Sequence, residues 1–291
     1  MTLTEEATRT IEASGATLTY DVHPGSSPDA APLFLIGSPM AAAGFATLAG
    51  HFSDRTVVTY DPRGSERSEL TDSTTPPTPE QHADDLHLII QELGVGPVDL
   101  FASSGGAVNA LALVASHHED VRTLVAHEPP LPTLLPDREA ALAASRAVNE
   151  TYLQSGWGAG MAHFIAVVSH RGQFEDDFAQ QPGPDPAMFG LPAEDDGSRT
   201  DALLGLALVG CIGYEPDIEA LRAASTRIVL AASVESEGEM ANRGAFAVAE
   251  RLGTEPVIFP SHHGGFLGGE YGQMGEPDAF AAKLQEVLGE G

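Results

Sequence analysis

The sequence holds a single cysteine, Cys211, and a single lysine, Lys283, in 291 residues. One cysteine forms no disulfide within the chain, and Leu208, Val209 and Ile212 around it predict a small buried side chain rather than a nucleophile. Positive charge is scarce: 14 Lys plus Arg stand against 42 Asp plus Glu, a formal net charge of −28. A surface of that sign repels phosphates and anionic bilayers, so neither nucleic acid nor a membrane surface is an expected partner. Long apolar runs are missing as well; no stretch reaches the roughly 18 consecutive apolar residues of a membrane-spanning helix. Met1 to Thr10 is acidic and polar, with neither a basic segment nor an apolar one behind it, so secretion is not expected and a cytoplasmic location is. The histidines lack H-E-x-x-H or a comparable spacing, and no P-loop or G-x-G-x-x-G follows a first strand. No metal and no cofactor is therefore expected.

What is present is 42% hydrophobic residues, enough for one large core, arranged in an alternation of short apolar runs and helical stretches. Thr8–Ala13 and Ala16–His23 read as a hairpin turning at Ser14-Gly15, while Pro32–Ile36 and Thr56–Tyr60 read as buried parallel strands. Ala41–His51 is Ala-rich and predicts a helix. Thr78-Pro79-Glu80-Gln81 supplies an N-cap, a first-turn proline and a capping-box glutamine for a helix running to Leu93 and stopping at Gly94. Strand Val98–Ala102, helix Gly105–His117 and strand Arg122–His127 follow. The alternation resumes with strand Arg227–Ala232, helix Asn242–Leu252, strand Glu255–Phe259 and helix Pro277–Leu288. This order predicts an α/β fold with a mostly parallel sheet, its core formed by residues 1–130 and 225–291. Residues 131–224 offer no convincing strand but several Ala/Leu-rich stretches and a loop marked by Pro182, Pro184 and Pro186; they predict an inserted helical lid. Met161, Phe164, Phe174, Phe178, Met188 and Phe189 in that segment are candidates to line a pocket or to form ordinary helix core.

Chemistry concentrates at Ala102-Ser103-Ser104-Gly105-Gly106, where a strand turns into a helix. Small residues flank Ser104 on both sides, as a strained turn crowding a strand and a helix requires. This is a nucleophile elbow with alanine in place of the first glycine of G-x-S-x-G. With Gly37-Ser38-Pro39-Met40, Asp61-Pro62-Arg63-Gly64-Ser65 and His262-His263-Gly264-Gly265-Phe266 after the appropriate strands, the chain resembles the α/β-hydrolase fold superfamily over nearly its whole length. The resemblance implies an oxyanion hole from the Gly105 backbone N–H and a donor of the 37–40 loop. Pro39 has no N–H, which leaves Met40, the favoured choice, or Ser38.

The H-x-G-F pattern of the superfamily falls on His263 as the base, with His262 as its rival. The acid departs from the usual pattern. The position after the strand that follows the lid reads Ser233-Val234-Glu235-Ser236, which puts serine at Ser236 where the superfamily usually has aspartate. A carboxylate stands instead in His127-Glu128-Pro129-Pro130, at the end of the strand next to the elbow, and Glu128 is preferred over Glu235, with Glu237 and Asp217 behind. Branches with the acid at this place exist, and H-E-P-P at this spacing resembles the lactonases that open zearalenone. The resemblance implies a Ser104–His263–Glu128 triad acting on a small-molecule apolar ester or lactone. A non-hydrolytic use of the triad, as a lyase or acyl transferase, is the runner-up, and a receptor-like binding protein on the same fold is the rival from another class. The sequence leaves room for a homo-oligomer.

Overall fold

The computed structural model describes residues 6–27, 30–72 and 75–289; the first five residues of the acidic N-terminal stretch lie outside them. A nine-stranded sheet runs through the molecule. Its strands are β1 (Ala7–Ala13), β2 (Ala16–His23), β3 (Leu33–Ile36), β4 (Val57–Asp61), β5 (Glu69–Leu70), β6 (Val98–Ser103), β7 (Val121–His127), β8 (Arg227–Ser233) and β9 (Val257–Phe259). The spatial order is β1-β2-β4-β3-β6-β7-β8-β9, with β5 paired to β2. β1, β2 and β4 pair antiparallel, and from β4 through β9 every neighbour is parallel.

The apolar alternation along each strand sorts side chains onto two faces. Phe34 and Ile36, Leu100 and Ala102, Leu124 and Ala126, and Leu230 point to one face, and helices α2 (Pro79–Leu93), α3 (Gly105–His117) and α7 (Met240–Leu252) cover it. Leu33 and Leu35, Phe101, Val125 and Ala231 point to the other, under α1 (Ala46–Gly50) and α8 (Pro277–Gly289). Phe101 is the hub of that second face, its ring centroid 6.5 Å from Phe45, 5.7 Å from Phe266 and 5.6 Å from Phe280. Burying each such aromatic contributes about 1.5–3 kcal/mol, which makes the paired faces the main source of stability.

Local signals decide where elements begin and end. α2 opens with the expected capping box, Thr78 N–H donating to Gln81 Oε1 at 3.0 Å and Gln81 N–H to Thr78 Oγ1 at 3.4 Å. It closes at Gly94 with φ 64°, a left-handed cap that suits glycine. The helix expected over Ala41–His51 is instead a 3-10 turn, Ala42–Phe45, followed by the short α1. Its N–H groups find acceptors in other elements: Ala42 donates to Asp61 Oδ1 at 3.0 Å and Thr47 to Glu270 Oε1 at 2.9 Å.

Among the described residues, 131–224 contain no strand. They form α4 (Arg138–Val168), α5 (Leu208–Cys211), α6 (Ile218–Ala223), a π-helical turn over Ala202–Ala207 and short 3-10 turns. α4 is two helices meeting at Gly156, whose φ of 86° excludes other residues and where a Cβ would lie 2.5 Å from Asp195 Oδ1. The segment has its own core, built on Ala141, Val148, Tyr152 and Leu204 and joined by Met240 of α7. Phe174 belongs to that core, and Met161, Phe164 and Phe178 pack against it, whereas Met188 and Phe189 are exposed.

Candidate active site

Register fixes where the chemistry collects. Ile36 pairs with Ala102, Ser103 with His127, and His127 with Ala231, so β3, β6, β7 and β8 end at one level of the sheet. The strand order reverses at β3, with β4 laid on one side of it and β6 on the other, and a crevice outside the carboxyl ends at such a switch point is where α/β sheets place their sites. The residues just beyond these ends are Gly37, Ser104 and Glu128, and His263 follows β9.

Ser104 stands alone between β6 and α3, with φ 57° and ψ −128°. A non-glycine residue held there costs about 1–3 kcal/mol and persists only where its surroundings enforce it. Two hydrogen bonds do so: Ser104 N–H donates to the His127 carbonyl at 2.9 Å, and the Ser104 carbonyl accepts from Ala107 N–H at 2.9 Å. The two glycines after it are demanded by close approach. A Cβ on Gly105 would lie 2.5 Å from the Ser38 carbonyl oxygen, and one on Gly106 would lie 2.7 Å from Gly37 Cα. The loop after β3 therefore rests on the first turn of α3, whose N–H groups have no partner within the helix. Ser38 is the loop residue against Gly105, whereas the Met40 side chain folds back on Gly37 and Gly44.

Glu128 follows β7 in a left-handed conformation, φ 48°, and is completely buried. Its Oε1 accepts from Ser233 N–H at 2.8 Å, from Asn242 Nδ2 at 3.0 Å and from the Ser236 hydroxyl. Its Oε2 lies 2.6 Å from His263 Nδ1. A carboxylate only accepts, so His263 carries its hydrogen on Nδ1 and presents Nε2 as an unprotonated lone pair. Burial alone would raise the Glu128 carboxyl. The His263 hydrogen bond and charge and the Ser236 hydroxyl outweigh it and hold the group below the usual carboxylate range. Burial would lower His263, and the hydrogen bond and charge of Glu128 reverse this, so its pKa is raised.

Behind the pair lies His127, with no exposed surface, its Nδ1 3.0 Å from Ser103 Oγ and its Nε2 2.8 Å from Ser233 Oγ. Burial pushes it down to about 4, so it is neutral beside His263, whose ring centroid is 5.7 Å away. His127, Glu128 and His263 present atoms close enough to bracket a cation. Those atoms are already engaged with one another and with Ser103 and Ser233.

The remaining sequence candidates lie elsewhere. His262 braces its own loop, its Nδ1 accepting from Gly264 N–H at 3.0 Å and its Nε2 lying 3.1 Å from the Met274 carbonyl. Glu235 and Glu237 are exposed, and Asp217 caps α6 through Ala220 N–H at 2.9 Å. Sequence reasoning set Ser236 aside as unable to act as the acid. In the structure its hydroxyl donates to Glu128 Oε1. Asn242 was missed altogether; its only advance sign was an amide on the inward side of an amphipathic helix.

The profile described as alpha/beta hydrolase fold matches residues 33–189, from β3 through the elbow into the helical segment. Over 262 residues the chain is 30% identical to the uncharacterized hydrolase YraK of Bacillus subtilis (strain 168), covering 88% of this chain and 89% of that protein. The chain belongs to the α/β-hydrolase fold family. Among solved structures it is similar to a thermophilic esterase from Thermogutta terrifontis, with TM-score 0.65, 19% identity and 98% of each chain covered. It is also similar to the proline iminopeptidase of Mycobacterium smegmatis, with TM-score 0.62, 18% identity and again 98% of each chain covered. At these identities the two structures share the fold. No helix among the described residues is long and apolar enough to cross a membrane.

Proposed function

We propose that the protein is a serine hydrolase that cleaves a carboxylic ester or lactone through Ser104, His263 and Glu128. The observation that carries the reading is the buried Glu128, which takes three donors on one oxygen and His263 Nδ1 on the other, one residue past the β7 partner of Ser103, with Ser104 in a strained elbow at the end of the adjoining strand. Ser104 Oγ attacks the carbonyl carbon while His263 Nε2 takes its proton, and Glu128 offsets the imidazolium charge. The oxyanion accepts hydrogen bonds from Gly105 N–H and from the loop after β3. The loop donor is the backbone N–H of Met40 or of Ser38, since Pro39 has none. His263 then gives the proton to the leaving alkoxide, and water, activated by the same imidazole, releases the acid. Residues 131–224 serve as the lid that holds the apolar part of the substrate. The substrate class draws on the H-E-P-P resemblance to lactonases and on the esterase among the structural relatives.

Turnover of a panel of p-nitrophenyl esters and macrocyclic lactones tests this. Wild-type protein hydrolyses at least one, and Ser104→Ala, with an unchanged circular dichroism spectrum, does not. Undiminished hydrolysis by Ser104→Ala would remove the serine from the mechanism.

A further inference from the structure

One helix length from Ser104, about 20 Å along α3, a second group of polar side chains converges. His87 comes from the middle of α2, His117 is the last residue of α3, and Asp120 closes the 3-10 turn that follows. The two imidazoles lie nearly parallel, 13° apart, with centroids separated by 3.9 Å. His87 Nδ1 is 2.5 Å from Asp120 Oδ2, and the other Asp120 oxygen accepts from Gln91 Nε2 at 2.8 Å. One ligand atom from each of the three residues lies within 4.8 Å of the others.

We propose that His87, His117 and Asp120 form a binding site for a divalent transition-metal ion, with Zn²⁺ as the representative. Two imidazoles and one carboxylate are the donor set such borderline ions prefer over the harder Mg²⁺ and Ca²⁺. Ligands about 2.0–2.2 Å from one ion sit about 3.3–3.6 Å apart in a tetrahedron. Binding an ion therefore requires the side chains to rotate and draw these atoms closer together. The Asp120 carboxylate is buried and already fixed by Gln91, the outer support that metal-binding carboxylates use. Asp84 stands close by, its exposed carboxylate 3.8 Å from His117 Nε2. A chain of net charge −28 also concentrates cations at its surface.

The ion would tie α2 to the end of α3 and the start of β7, a cross-link in a chain that has no disulfide. Spacing rules missed the group because His87 and Asp120 are 33 residues apart and meet only through the α2–α3 packing. His118, the other half of the His117-His118 pair, turns away to Ser225 Oγ at 2.9 Å.

Titration calorimetry of the full chain with ZnCl₂ near neutral pH is the test. The proposal expects one saturable ion per chain, weakened at least about tenfold in His117→Gln and Asp120→Asn and unaffected in His263→Gln. His117 is partly exposed, so its variant keeps the test valid if Asp120→Asn fails to fold. No saturable ion in wild type would overturn the proposal, as would equal affinity in His117→Gln. Loss of the ion in His263→Gln would assign it to His127, Glu128 and His263 instead, and would equally overturn it.

Discussion

Replacing Glu128 with glutamine isolates what the buried carboxylate does, because shape is kept and charge is removed. The new amide has two orientations. With its NH₂ turned inward it would face Ser233 N–H, Asn242 Nδ2 and the Ser236 hydroxyl, which now donate to Oε1. The hydroxyl can rotate to accept and Asn242 Nδ2 keeps the Ser233 carbonyl at 3.1 Å, but the buried Ser233 N–H loses its partner at about 1–3 kcal/mol. The inward carbonyl is thus favoured, and the NH₂ faces His263 Nδ1. That nitrogen must give up its hydrogen to accept, which moves the proton to Nε2 and removes the base that Ser104 needs. The expected loss in kcat is about 10⁴-fold, by the behaviour of triad acids on other folds, or about 5.4 kcal/mol of barrier. Because the three inward donors stay satisfied, the variant folds and loses only the stability that the charged Glu128–His263 pair adds. Ester hydrolysis measured beside thermal unfolding separates the two effects, with Glu235→Gln as the exposed control that retains activity. Activity of Glu128→Gln within tenfold of wild type, or a matching loss in Glu235→Gln, would refute the argument.

Ser236→Ala removes one of the three donors to Oε1 and lowers stability by about 1–3 kcal/mol, with a kcat loss of roughly ten- to hundredfold; denaturant unfolding and steady-state kinetics read both. Gly106→Ala sets a Cβ 2.7 Å from Gly37 Cα, backbone that cannot yield cheaply, and costs about 1–3 kcal/mol in an unfolding experiment. Glu128 is lowered in the fold, so its contribution to stability is present above its unfolded value near 4.3 and is lost as pH falls through the folded one. His263 is raised, so its contribution is full below about 6.5 and is lost as pH rises through its folded value. Stability from the pair therefore peaks between about pH 4.3 and 6.5, and denaturant midpoints across pH should flatten in Glu128→Gln. The base must be neutral, so kcat/KM rises with pH and levels off above the raised His263 value.

The sheet was legible because its signals are local. Leu33–Ile36 and Val57–Asp61 are runs too short and too apolar for anything but buried strands, and Thr78 with Gln81 marks a helix start unaided. β5 was not legible: Glu69–Leu70 is two residues with no periodicity, paired to β2 only through Ala16 and Thr17. The split of the Ala41–His51 helix depends on carboxylates from Asp61 and Glu270, which no window around residue 45 contains. Within the site, Glu128 and His263 could be chosen from motif and strand end, and the structure brings them together. The supporting donors could not be, since Ser233, Ser236 and Asn242 reach Glu128 across more than 100 residues of chain. In the loop after β3, a missing N–H on Pro39 narrowed the donor to two residues. Ser38 sets its carbonyl against Gly105 and Met40 its side chain against Gly37 and Gly44.

The central claim is that Ser104 is an activated nucleophile. Peptide mass spectrometry after treatment with a small fluorophosphonate tests it without knowledge of the substrate. The account predicts one covalent adduct on Ser104, absent from His263→Ala. Labelling of Ser103 or Ser38 in its place, or no adduct on folded protein, would contradict it.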